Sequence, residues 1–146
     1  MVLLREREWT QEQWDELNTA MVWVARSAKQ SQAKGWFKHI RVEDCMASID
    51  GKFVRASRVD DDFVIVYGVG APWYNWSFKA LEEMLVIRLR KGSNYRKVLS
   101  ALTILAEHHE CKSIVVGDAL TQDDRLARVY ERAGFRRESS QFIKEI

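Results

Sequence analysis

Residues 81–99 read LEEMLVIRLRKGSNYRKVL, and the reading of this stretch decides the fold. Ala80 to Leu89 is a largely apolar run with Glu82 and Glu83 near its start, the pattern of a strand buried toward its end. Gly92, Ser93 and Asn94 break the run and open a helix, in which Val98, Leu99, Leu102, Leu105 and Ala106 recur at the helical period. Ser113 to Gly117 then forms a short β-branched run, which reads as a strand covered on both faces. Two apolar strands flanking a periodic helix predict parallel neighbours, because parallel pairing needs such a crossover. Leu85–Leu89 should therefore lie beside Ser113–Gly117 at the centre of one sheet.

Toward the C-terminus, Thr121, Asp123 and Asp124 load the start of a second helix with caps and negative charge. Leu126, Ala127, Val129, Tyr130 and Ala133 supply its apolar face, Gly134 stops it, and Phe135 to Ile146 reads as a last strand. Toward the N-terminus, Gly68, Gly70 and Pro72 end an apolar strand, Phe63 to Val69, before the ring-rich segment Trp73, Tyr74, Trp76 and Phe78. Asp60, Asp61 and Asp62 form a polar turn joining Phe63–Val69 to Lys52–Val59 as an antiparallel pair. Asp50-Gly51 is a turn signal that separates this pair from Ala47–Ile49. A short apolar segment, Trp36, Phe37, Ile40 and Val42, is expected to be helical. Thr10 with Gln13 has the form of a capping box, and Trp14, Leu17, Met21, Val24 and Ala28 follow at spacings of three and four. That predicts a first helix from about Thr10 to about Lys29, preceded by a short strand at Val2 to Arg5.

The 146 residues suit a single domain spanning 1–146, and 47% hydrophobic with 30% charged residues is ordinary globular composition. A net charge of +2, from 23 basic and 21 acidic side chains, implies no field that gathers nucleic acid. Cys45 and Cys111 stand far apart with only His39, His108 and His109 to join them, which argues against a metal site and for a reducing, cytoplasmic setting. No run of about 18 apolar residues offers a membrane span. Core packing is the default role for the six tryptophans, and a binding surface the alternative for some of them.

The block from Leu81 to Leu99, and a second one, DDRLARVYERAGF from Asp123 to Phe135, resemble the GNAT family of N-acetyltransferases. Together they cover about a third of the chain. The family's strand ends in an Arg/Gln-x-x-Gly-x-Gly/Ala loop, and its closing helix has the form Asn-x-x-Ala-x-x-Leu-Tyr-x-x-x-Gly-Phe. The resemblance implies an α/β fold: a mixed central sheet with antiparallel N-terminal strands and a parallel central pair, flanked by helices. It also implies acetyl-CoA as co-substrate, with a primary amine as acceptor. A diphosphate would sit on the loop before the helix, where the dipole and the N–H groups favour an anion. The residues that fall there are Lys91, Gly92, Ser93, Asn94, Tyr95, Arg96 and Lys97.

Departures from the family pattern are specific. Lys91 stands for the family's Arg or Gln, and Asn94 and Arg96 stand for its two small residues. Asn tolerates the left-handed conformation that glycine supplies, whereas Arg96 either pairs with a phosphate or fills the cofactor's place. Phosphate binding and a solvated helix entrance both suit the cluster Arg88, Arg90, Lys91, Arg96 and Lys97. Tyr130 falls on the family's tyrosine, which the resemblance makes the acid for the leaving thiolate; a tyrosine packing the helix face is the other reading. Glu82 and Glu83 lie on the strand that would line the reaction centre, and alternation sends only one of them toward it. The backbone at Leu85, Val86 and Ile87 would polarise the acetyl carbonyl. Asp123 replaces the family's Asn, and capping alone accounts for it. Trp73, Tyr74 and Trp76 are expected to border the acceptor groove or a protein partner. The competing function is a GNAT-like binding or assembly module, which the altered loop and the ring-rich run Trp73 to Phe78 favour; small degenerate GNAT-like proteins also occur in tailed bacteriophages, some virion-associated, and homo-oligomer or virion contacts fit that reading. Nucleic-acid binding fits poorly, because no stacking rings interleave with the basic cluster.

Overall fold

The computed structural model describes residues 1–31, 35–118, 123–139 and 142–146. A five-stranded sheet orders them: β1 (Leu3–Arg5), β2 (Arg55–Val59), β3 (Phe63–Gly70), β4 (Ala80–Arg88) and β5 (Ser113–Val115) lie side by side in chain order. The first three junctions are antiparallel and β4–β5 is parallel. This is the mixed α/β architecture that the sequence implied.

The first helix, α1 (Gln11–Gln30), starts at the capping box: Thr10 Oγ accepts from Gln13 N–H at 3.2 Å and Gln13 Oε1 accepts from Thr10 N–H at 2.9 Å. The short apolar segment after it becomes a 3-10 turn over Gly35–His39 and then α2 (Val42–Asp50). Asp50-Gly51 is a turn, as expected, and closes this helix. A Cβ at Gly51 would stand 2.9 Å from the Ala47 carbonyl, so glycine lets the chain leave α2 at this angle. Asp60 and Asp61, at φ 49 and 58°, make the tight β2–β3 turn. Crossing from β4 to β5 is α3 (Arg96–His108), and α4 (Arg125–Arg132) follows β5.

The sheet is covered on two faces. On one, Val98, Ala101, Leu102, Leu105 and Ala106 of α3 pack on Val59, Phe63, Ile65, Tyr67 and Leu81. Ala101 is buried where the sequence suggested Leu99, which is half-buried. On the other face Leu17 and Met21 of α1 and Ile49 of α2 meet Ala56, Val64, Val66 and Ile87. Arg58, 1% exposed, crosses this second face to Glu16 at 2.7 Å and Asp61 at 2.9 Å, and reaches the Gln13 carbonyl at 3.4 Å.

Two expectations are corrected. Phe135–Ile146 forms no strand in its described residues: only Phe135 packs, its ring 5.4 Å from that of Tyr130, while Phe142 and Ile146 stand in solvent. Charges at Arg136, Arg137, Glu138, Lys144 and Glu145 leave this stretch too little apolar surface to cover a sheet edge. The parallel pairing joins Ala80–Glu82 to Ser113–Val115, not Leu85–Leu89, and β5 is the last strand among the described residues, with Val115 half in solvent. Thr121, expected to cap α4, lies outside the described residues.

Candidate active site

The site grows from an irregularity in β4. Glu83 stands opposite Tyr67 and Leu85 opposite Val66, so Met84 is an extra residue, a β-bulge. One extra residue reverses the alternation. Before it Leu81 faces α3; beyond it Val86 faces α3, while Leu85 and Ile87 face α1. Glu83 shares the face of Leu81 and of its partner Tyr67, and Glu82 takes the opposite one. The bulge also bends β4 away from β5: pairing stops at Glu82–Val115, and past it the Glu83 carboxylate accepts from Gly117 N–H at 3.5 Å. An opening between two parallel strands is the result, with Glu83 at its apex.

Burial pushes the Glu83 carboxyl up to about 7, with the charge of Glu82 adding and the Gly117 N–H opposing. Such a group changes protonation near neutral pH, which suits a general base. Tyr130 projects from α4 and is buried; its hydroxyl lies 2.8 Å from that of Tyr95, the residue just before α3. Burial lifts the Tyr95 phenol to about 12 and raises Tyr130 further, and the charge of Glu83 adds to both shifts. Two phenols and a carboxylate thus share one electrostatic neighbourhood. Burial and the Tyr95 hydroxyl make Tyr130 hold its proton more tightly than a free phenol does.

The loop before α3 departs from expectation. Gly92 is left-handed at φ 77°, and a Cβ there would meet nothing within 4 Å. Asn94 does not take the left-handed conformation but works through its side chain, whose Oδ1 accepts from Arg96 N–H at 3.0 Å. Its carbonyl accepts from Lys97 N–H at 3.0 Å, so two of the N–H groups expected to meet a diphosphate are engaged within the loop. Three of the five clustered cations are also committed. Arg88 donates to the Ser93 carbonyl and lies over the Phe63 ring, Arg90 pairs with Glu16 at 3.1 Å, and Lys97 pairs with Asp62 at 2.5 Å and Asp60 at 3.3 Å. Lys91 and Arg96 stand exposed, with no ion pair among the described residues.

No known protein-family model matches this sequence, and no curated protein matches it. Solved structures match over its whole length. A ribosomal-protein-alanine N-acetyltransferase from Brucella melitensis biovar Abortus 2308 superposes with a TM-score of 0.67 at 10% identity, covering 100% of both chains. An aminoglycoside acetyltransferase from an uncultured soil metagenomic sample gives 0.62 at 10% identity, over 100% of this chain and 99% of that one. A GNAT family acetyltransferase from Staphylococcus aureus gives 0.57 at 9%, again over 100% of both. The chain has the GNAT fold.

Within this GNAT fold, the residues singled out in the sequence divide into three groups. Glu83 lies at the β4–β5 opening on the α3 side, and its charge acts on Tyr95 and Tyr130, which bond to each other. Leu85, Val86 and Ile87, on β4 beyond the point where β5 leaves, line a cavity of about 810 Å³ whose far wall is α1, with Trp23, Val24 and Phe37. On the α1 face Glu82 is exposed and lines a separate groove of about 880 Å³, together with Tyr74, Phe78, Phe53 and Met84. Trp73 and Trp76 are 87% and 84% exposed on the same loop but outside the groove lining. Asn75 holds that loop, its Oδ1 accepting from Ser77 N–H at 3.2 Å and Ser77 Oγ at 2.7 Å. Asp123 accepts from Arg125 N–H at 3.0 Å, as a residue closing the first turn of α4 does. Missed by the sequence reading were the bulge at Met84 and the pairing of Tyr95 with Tyr130. An aromatic residue directly before the helix was the only available signal for the second. Among the described residues no three metal-ligating side chains cluster, and no helix is long and apolar enough to cross a membrane.

Proposed function

We propose that residues 1–146 form one acyl-CoA-dependent N-acetyltransferase domain, passing acetyl to a primary amine by direct attack without a covalent enzyme intermediate. The observation that carries this reading is the raised carboxyl of Glu83 where β4 and β5 part, close enough for its charge to act on the hydrogen-bonded Tyr95–Tyr130 pair. Acetyl-CoA supplies the thioester. The left-handed Gly92, open where a Cβ would stand, suits close approach of a diphosphate, and Lys91 and Arg96 are the exposed cations beside it. Glu83 takes a proton from the acceptor ammonium so that the nitrogen lone pair can attack the carbonyl carbon; as the C–S bond breaks, Tyr130 gives its proton to sulfur. The β4 backbone at Leu85–Ile87 polarises the carbonyl. The groove that Tyr74 lines lies on the Glu82 face of β4, opposite Glu83, so Trp73, Tyr74 and Trp76 suit a remote part of the acceptor or a protein partner.

One observation favours a second reading, a GNAT-fold binding module: Asn94 already occupies the N–H groups of Arg96 and Lys97. Calorimetric titration with acetyl-CoA and with desulfo-CoA separates the two. Saturable binding of both supports the enzyme, and thiol release on adding amines then identifies acceptors. Binding of neither ligand removes acyl transfer and leaves the module.

A further inference from the structure

Tyr95 stands at a junction that the proposed reaction does not yet use. It belongs to the loop before α3, yet its side chain leaves that loop and runs into the interior. Its ring meets Phe63 edge-on at 6.0 Å, and its hydroxyl lies 2.8 Å from that of Tyr130. Tyr130 in turn is fixed from behind by Phe135, whose N–H donates to the Tyr130 carbonyl at 3.0 Å. Both rings are therefore held, and the two oxygens face each other with one hydrogen bond between them. Each hydroxyl has a single proton, so the direction of that bond decides which proton remains for other chemistry.

We propose that Tyr95 is a positioning residue for Tyr130: it donates its O–H to the Tyr130 oxygen, turns the Tyr130 proton toward the β4–β5 opening, and holds the phenolate left when that proton departs. This rests on the acetyltransferase reading for its catalytic consequence, though not for the direction of the bond. The step balances: the Tyr130 O–H bond breaks, the proton goes to the thiolate sulfur, and the negative charge is left on an oxygen already accepting from Tyr95. A phenolate in a buried site needs such a donor, and the 2.8 Å separation of the two oxygens lets Tyr95 be one. The same side chain links the two halves of the site, since a diphosphate settling on Gly92–Lys97 bears on the backbone that aims the Tyr95 hydroxyl. Loop occupancy and readiness of the acid become one event.

The chain has four tyrosines, Tyr67, Tyr74, Tyr95 and Tyr130, so labelling every tyrosine at the carbon bearing oxygen gives a four-line carbon spectrum. A donating phenol moves that carbon toward its phenolate position and an accepting one moves it away. The expected result is a donor-type displacement for Tyr95 and an acceptor-type displacement for Tyr130, with each lost when the other residue is changed to Phe. In turnover, Tyr95→Phe should lower kcat about 10- to 100-fold, the loss of one hydrogen bond to a charged group, with KM for acetyl-CoA within about twofold. Tyr130→Phe should lower kcat at least as far, and the double variant should fall no further, because the two act as a unit. Tyr67→Phe, which removes another buried hydroxyl, one bonded to His109 Nε2 at 3.2 Å, is the folding control and should leave kcat unchanged. Reversed displacements, or a Tyr95→Phe enzyme with parental kcat, overturn the proposal. A parent protein that releases no thiol overturns the acetyltransferase reading and the acid role with it, while the carbon displacements still decide the direction of the bond.

Discussion

Glu83→Gln changes one property of the chain, the ability of this side chain to ionise, because the amide oxygen can still accept from Gly117 N–H. The Glu83 carboxyl is raised from 4.5 to about 7 by folding, so the folded protein holds a proton that the unfolded chain releases. Stability from this group is therefore fully present below about pH 4.5 and is lost as pH rises through 7. At about 1.4 kcal/mol per pKa unit, the parent loses about 3 kcal/mol from this group by pH 8.5, and the variant loses none of it. Glu16 and Asp60, whose pKa values are lowered by their Arg and Lys partners and by a backbone N–H, have the opposite pH dependence, but both are present in each protein and cancel in the difference. Urea unfolding followed by tryptophan fluorescence at pH 4 and pH 8.5 measures that difference. The variant should be more stable by about 3 kcal/mol at pH 8.5 and equal to the parent within about 0.5 kcal/mol at pH 4, with m unchanged. Equal stability at pH 8.5, or a gap of the same size at both pH values, refutes a buried, raised Glu83. In turnover the parent should gain rate as pH rises through about 7, and the variant should lose that limb of the profile.

Arg96→Gly should weaken acetyl-CoA binding by about 1.5–3 kcal/mol in calorimetry if the exposed guanidinium meets a phosphate; a gain in affinity would show that the side chain obstructs the loop. Arg58→Ala should cost about 3 kcal/mol in urea unfolding, because it leaves Glu16 and Asp61 without a buried partner and opens a cavity between α1 and the β2–β3 turn. Thr10→Ala should cost about 1 kcal/mol in the same assay, the value of an N-cap, with the remaining structure unchanged by circular dichroism.

What the sequence carried about this chain was whatever short-range chemistry encodes. The Thr10–Gln13 box marked the start of α1, the helical recurrence of Val98, Leu102, Leu105 and Ala106 marked α3, and three consecutive aspartates marked the β2–β3 turn. Each of these signals lies within one or two turns of backbone, where capping, periodicity and turn geometry act without help from elsewhere. The same signals misled where burial was needed to complete them. Phe135–Ile146 alternates weakly but has no surface of its own to bury. The orientation of the site was decided only in three dimensions. Strand alternation separated Glu82 from Glu83 but could not say which faced inward, because an unforeseen extra residue at Met84 resets the faces of β4 and parts it from β5. Tyr95 and Tyr130 meet across 35 residues of sequence, and Lys97 turns to Asp60 and Asp62 across a similar span, contacts that only the folded chain creates. Contacts between distant segments depend on the register of the sheet, and a register is set by every strand at once.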